Sequence, residues 1–141
     1  MALTRTSRRG ATALEFVLAL PVFLMVVLGV AEVSHYMSSL YLVQRAARDG
    51  ARVGAVTLEG LHPTGDQIVA NAEAQAKFVL NAGGRPCNDV CTVTADWTAQ
   101  SDGFYYVTVY VAEPHKAITP GLGLVPAHAT ATFTMLAQQQ P

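Results

Sequence analysis

Nucleophiles, bases and metal ligands are sparse in this sequence and stand apart. The four histidines, His35, His62, His115 and His128, include no i, i+4 pair and no HExxH motif. Ser34, Ser38 and Ser39 lie near His35, but no nucleophile-elbow pattern surrounds them. Gly121-Leu122-Gly123 is flanked by prolines and lacks the third glycine of a phosphate-cradling loop. Cys87 and Cys91 are too few for a four-cysteine zinc site, and redox catalysis would prefer Cys-x-x-Cys. No catalytic residue, metal site or cofactor is expected, and the chain is not expected to be an enzyme.

The spacing that stands out is at the N-terminus, in Arg8-Arg9-Gly10-Ala11-Thr12-Ala13-Leu14-Glu15-Phe16. The Gly10–Ala11 peptide bond carries the smallest side chains available, so a peptidase meets no hindrance there. Glu15 stands at the edge of a run, Phe16 to Ala31, that has no charged residue. A carboxylate in that position costs a few kcal/mol unless it is paired or reaches the interface, and such residues are usually functional.

The elements that must position these residues follow from composition. The chain has 141 residues, is 51% hydrophobic and only 13% charged, against about 25% charged in an ordinary soluble domain. Nine basic and ten acidic side chains leave a net charge of −1, so the basic footprint of nucleic-acid binding is missing. Disorder is excluded by the apolar content, and a two-domain enzyme by the length. From Ala11 to Ala31 a helix would be about 30 Å long, the thickness of a bilayer's hydrocarbon core. Arg5, Arg8 and Arg9 on its N-terminal side predict that this end stays in the cytoplasm. A secretory signal peptide cut at Gly29-Val30-Ala31 and a plain membrane anchor are simpler readings, but neither gives Glu15 a use.

Arg8 to Phe16 resembles a type IV prepilin processing site. The longer stretch GATALEFVLALPVFLMVVLGVAEV, followed by AARDGARVGA at 46–55, resembles the TadE-like proteins, minor pseudopilins of Tad (tight adherence) type IVb pilus and secretion systems. The resemblance covers residues 8–56. It implies cleavage by a prepilin peptidase between Gly10 and Ala11, which makes Glu15 the fifth residue of the product, followed by the aromatic Phe16. The freed α-amine of Ala11 would need a counter-charge, and Glu15 one turn along can pair with it or with that of a neighbouring subunit. Intersubunit pairing is what the resemblance implies for Glu15, and a part in assembly is what it implies for Phe16. The implied partners are the peptidase, other pilins and pseudopilins, the Tad inner-membrane assembly platform and the membrane, with no nucleic acid. The implied location is the bacterial inner membrane, with the N-terminus cytoplasmic, the C-terminal part extracytoplasmic, and incorporation into the pilus open.

Beyond Ala31, Val33, Met37, Leu40, Val43 and Ala47 follow helical spacing, and the pattern predicts one helix from about Ala11 to Val56. Pro21 within it invites a kink. Ala46, Ala47, Gly50, Ala51, Gly54 and Ala55 form a small-residue surface that suits either packing between subunits or packing on this chain's own sheet. Arg45, Arg48 and Arg52 share a face, with Asp49 in reach of Arg45 or Arg52; a solvated face is favoured over contact with a neighbour. Glu59 to Gly65 reads as a turn. Thr64 then caps a second helix running to about Leu80, with Ile68, Ala72, Ala76, Val79 and Leu80 inward and Asn81 to Gly84 ending it.

A structural disulfide between Cys87 and Cys91 is favoured if this part lies outside the membrane. Three alternating strands follow, near 91–98, 104–111 and 127–135, with a turn at Ser101 to Gly103 and a Pro/Gly loop from Glu113 to Pro126. Phe104, Tyr106 and Tyr110 share the polar face of the middle strand and are expected to pack under that loop.

The expected fold is therefore α+β and pilin-like: a long N-terminal helix, first transmembrane and then amphipathic, a second short helix, and a three-stranded antiparallel sheet. Residues 1–10 form a basic leader, 11–33 the transmembrane and assembly segment, and 34–141 an extracytoplasmic domain. The functional expectation is a minor pseudopilin of a Tad/Flp pilus. The alternative is a small secreted or signal-anchored extracytoplasmic binding domain with no pilus role.

Overall fold

Helical periodicity runs through Pro21 to produce a single element, α1, from Ser7 to Val56. At 50 residues it is about 75 Å long. The computed structural model describes residues 7–56, 65–87, 90–99, 104–119 and 123–137, with side chains from residue 12 onward in α1. The expected cap Thr64, the turn at 101–103 and the C-terminal Gln138 to Pro141 lie outside these residues. The second helix, α2, is Gly65–Ala82, and its buried residues are Ile68, Ala72, Ala76, Val79 and Leu80, the five that the spacing predicts. Its end is closed by two hydrogen bonds, from the Gly84 N–H to the Asn81 carbonyl and from the Arg85 N–H to the Leu80 carbonyl, both 3.0 Å. Gly84 adopts φ +77°, the left-handed conformation this helix stop requires.

Three strands follow: β1, Thr92–Ala99; β2, Tyr105–Pro114; and β3, His128–Ala137. They form an antiparallel sheet in the order β1-β2-β3. Trp97 pairs with Val107, and Val109 with Phe133, which places the apolar sets of all three strands on one face. That face meets both helices, α1 against β2 and β3 and α2 against β1 and β2. The core is Val43, Ile68, Leu80, Val107, Val109 and Val111, with alanines between them. Each fully buried aliphatic side chain contributes about 1.5–3 kcal/mol.

Two expectations need correction. On α1, Val43 and Ala47 are buried as expected, but Val33 and Met37 are exposed. The inward positions on this stretch are instead Glu32 and Ser39, because polar partners from the β2–β3 connection meet them there. Phe104, at 47% exposure, and Tyr110 are exposed rather than covered by that connection. Its described residues turn the other way, toward α1, where Glu32 holds them.

Candidate functional site

The residues expected to serve processing and assembly lie on the free half of α1. The Gly10–Ala11 bond is within the helix. Glu15 and Phe16 are exposed, and Glu15 has no ion-pair partner among the described residues. From Leu14 to Val30 the helix presents apolar side chains to the surroundings on every side. Gly50 and Gly54 are spent elsewhere. A methyl group on Gly50 would stand 2.8 Å from the Ala72 carbonyl oxygen, and one on Gly54 2.8 Å from Val107 Cγ1. The small-residue surface therefore packs against this chain's own α2 and sheet, which decides between the two uses open to it.

Arg45 pairs with Asp49 at 3.6 Å, and the Arg48 guanidinium lies 5.3 Å from the Phe133 ring centre. Cys87 and Cys91 are bonded to each other, with Cα atoms 5.3 Å apart. His128 is exposed, as its place on the polar strand face implies; His62 lies outside the described residues.

Sequence spacing does not by itself assemble the densest polar cluster among the described residues. Glu32, only 1% exposed, sits on the inner face of α1 directly after the charge-free run. Its Oε2 accepts hydrogen bonds from the N–H groups of Ile118 and Thr119, at 2.8 and 3.0 Å, and from the Thr119 hydroxyl at 3.1 Å. Its Oε1 lies 3.3 Å from Nε2 of His115. The other ring nitrogen, Nδ1, is 3.4 Å from the Ser39 hydroxyl, which donates to the His35 carbonyl. His35 lies beside the His115 ring, centres 5.1 Å apart, and Tyr36 meets it edge-on at 5.3 Å. Arg85 joins the far side, 2.9 Å from Glu113 and 3.3 Å from Nε2 of His35. The base of the β2–β3 connection is tied by the His115 N–H to the Ala127 carbonyl at 2.8 Å.

One signal in the sequence could have found half of this cluster. Glu32, His35, Tyr36 and Ser39 are spaced by three and four, and so share one helix face. Nothing in the spacing locates His115, 83 residues away from Glu32.

Burial pushes the Glu32 carboxyl up. The opposing hydrogen bonds from the Thr119 N–H, the His115 side chain, the Thr119 hydroxyl and the Ile118 N–H outweigh it, and hold the group below the usual carboxylate value. Glu32 is thus an anion seated among fixed donors. Ser39, His115 and Glu32 have the membership of a hydrolytic triad but not its arrangement. Ser39 is buried, its proton is committed to the His35 carbonyl, and it faces a ring rather than a cleft. What the cluster does is join the connection after β2 to the helix at the point where its apolar run ends.

A long helix, apolar and uncovered over its first half, with a small two-helix and three-strand head packed on its second half, defines the pilin-like class of membrane-anchored protein. Residues 10–52, most of that helix, match the family described as TadE-like protein. The match ends within α1 and leaves α2 and the sheet outside it. No curated protein and no solved structure matches the chain.

Proposed function

We propose that the protein is a minor pseudopilin, cut by a prepilin peptidase between Gly10 and Ala11, that takes part in assembling a Tad/Flp type IVb pilus. It acts by packing and charge pairing rather than catalysis. The observation that carries this reading is Glu15, a carboxylate on the apolar, uncovered first half of the helix, with no ion-pair partner among the described residues. Cleavage would place an α-ammonium group at Ala11, about 6 Å away along the axis. Pairing between Glu15 of one subunit and that amine of another neutralises both and fixes the axial register of the helices. Removing residues 1–10 also takes away Arg5, Arg8 and Arg9, leaving 6 basic against 10 acidic side chains and a net charge of −4.

The head would lie outside the cytoplasm, where a disulfide persists. Membrane-crossing length would end at Ala31, since Glu32 already belongs to the polar cluster of the head. The signal-peptide alternative would begin the mature chain at Glu32 itself, placing a new terminal ammonium inside that cluster and discarding residues 10–31 of the segment that matches the family.

Replacing Glu15 with alanine in the native host tests the assembly role. The expected result is a protein still inserted in the membrane with pilus formation lost or strongly reduced. Undiminished piliation with normal insertion would contradict it.

A further inference from the structure

The connection between β2 and β3 carries apolar residues where a soluble head would not place them. Ile118 is 52% exposed and Leu124 55%. A methyl group on Gly29 would stand 3.6 Å from Leu124 Cδ1, so Leu124 rests on the last turn of the apolar run of α1. Leu28, Val30 and Val33, neighbours of Gly29 in the chain, are exposed as well, so Leu124 adds to the apolar surface at that end of the run. Isolated surface aliphatics are ordinary, but a continuous apolar patch marks a contact.

At Ile118 and Thr119 the backbone is prepared for a dry setting as well. The N–H groups of Ile118 and Thr119 are both satisfied by Glu32, and Pro126 has none to satisfy. Backbone donors that are already paired are the condition for leaving water. No charged residue occurs among 117–119 or 123–127, while the preceding Lys116 is exposed.

We propose that residues 115–119 and 123–127 form a strap that rests on the bilayer, with Ile118 and Leu124 at the boundary between head groups and acyl chains. The occupant of this patch is lipid because the patch is continuous with the membrane helix and lies at its depth. About 30 Å of helix from Ala11 reaches Ala31, so Leu124, level with Gly29, is just inside that limit. In this arrangement Glu32 is a positioning residue, which supplies from the helix the acceptors that the strap's backbone would otherwise seek from water. The proposal rests on the membrane-anchored reading of α1.

Nitroxide labels on the full chain test it. Ile118→Cys and Leu124→Cys are labelled with the Cys87–Cys91 disulfide intact and the protein in nanodiscs of phosphatidylethanolamine and phosphatidylglycerol. Accessibility to oxygen is compared with accessibility to a water-soluble nickel chelate. Val22→Cys on the helix and Thr94→Cys on the open sheet face serve as lipid and water references. The expected result is an oxygen-to-nickel ratio at 118 and 124 several-fold above that at 94, approaching that at 22. Ratios equal to that at 94 would overturn the strap while Val22 still reports lipid. Exclusion of both probes at 118 and 124 would assign the patch to a protein neighbour and overturn it too. An aqueous ratio at Val22 itself would overturn the membrane reading together with the strap.

Discussion

Glu32 and His115 meet at 3.3 Å across 83 residues of sequence, one on the long helix and the other just past the end of β2. Their contact closes the far end of the head onto the helix. The core beneath it, from Val43 to Ala55, is built from small side chains and gives shape rather than much area. The connection after β2 therefore depends on four donors converging on one carboxylate.

Acid should release this connection. The Glu32 carboxyl lies below its ordinary value of 4.5, so its contribution to stability is complete above that value and is lost as the pH falls through the folded-state pKa. Hydrogen exchange in detergent micelles checks this. The Ile118 and Thr119 amides should be protected at neutral pH and lose protection below about pH 4.5. Glu32→Ala should leave them unprotected at every pH and lower Tm. Glu32→Gln should remove the acid-dependent component.

Gly50 and Gly54 should differ although both are close-packed. The added methyl of Gly50→Ala meets the Ala72 carbonyl, part of a helix backbone that cannot turn aside. That of Gly54→Ala meets a Val107 methyl, a side-chain contact that can yield by a small shift of the valine where a helix backbone cannot. Overpacking of this kind costs about 1–3 kcal/mol, and Gly50→Ala should fall at the upper end and Gly54→Ala at the lower. Denaturant midpoints of the two variants compare them directly. Equal effects would mean that helix and sheet move apart together.

Reducing the Cys87–Cys91 bond should destabilise the head by roughly 2 kcal/mol, the chain-entropy cost of so short a loop. The loss should be local. The Cys87 N–H bonds the Asn81 side chain at 3.0 Å, so the segment just after α2 is already anchored at one end. Thermal unfolding with and without reductant measures the difference, and Cys87→Ser/Cys91→Ser should match the reduced protein.

Much of the fold was legible because periodicity is local. The five inward residues of α2 and the alternating faces of β1, β2 and β3 follow from spacing alone, as does the stop at Gly84. The face of α1 next to Glu32 was not legible, for a physical reason. Polar residues at inward positions look like solvent-facing ones until a partner is known, and theirs is His115 with the two amides after it. Val33 and Met37 share the helical spacing of Val43 and Ala47, yet they face outward. Gly50 and Gly54 announced close approach without saying to what, since small residues carry no mark of their partner. Phe104 and Tyr110 were expected under a loop whose direction only Glu32 reveals.

The central claim is that this chain is processed as a prepilin, and the intact mass of the mature protein isolated from its native membrane tests it most directly. A chain beginning at Ala11 is the predicted result. A chain beginning at Glu32, or one that keeps residues 1–10, would contradict it.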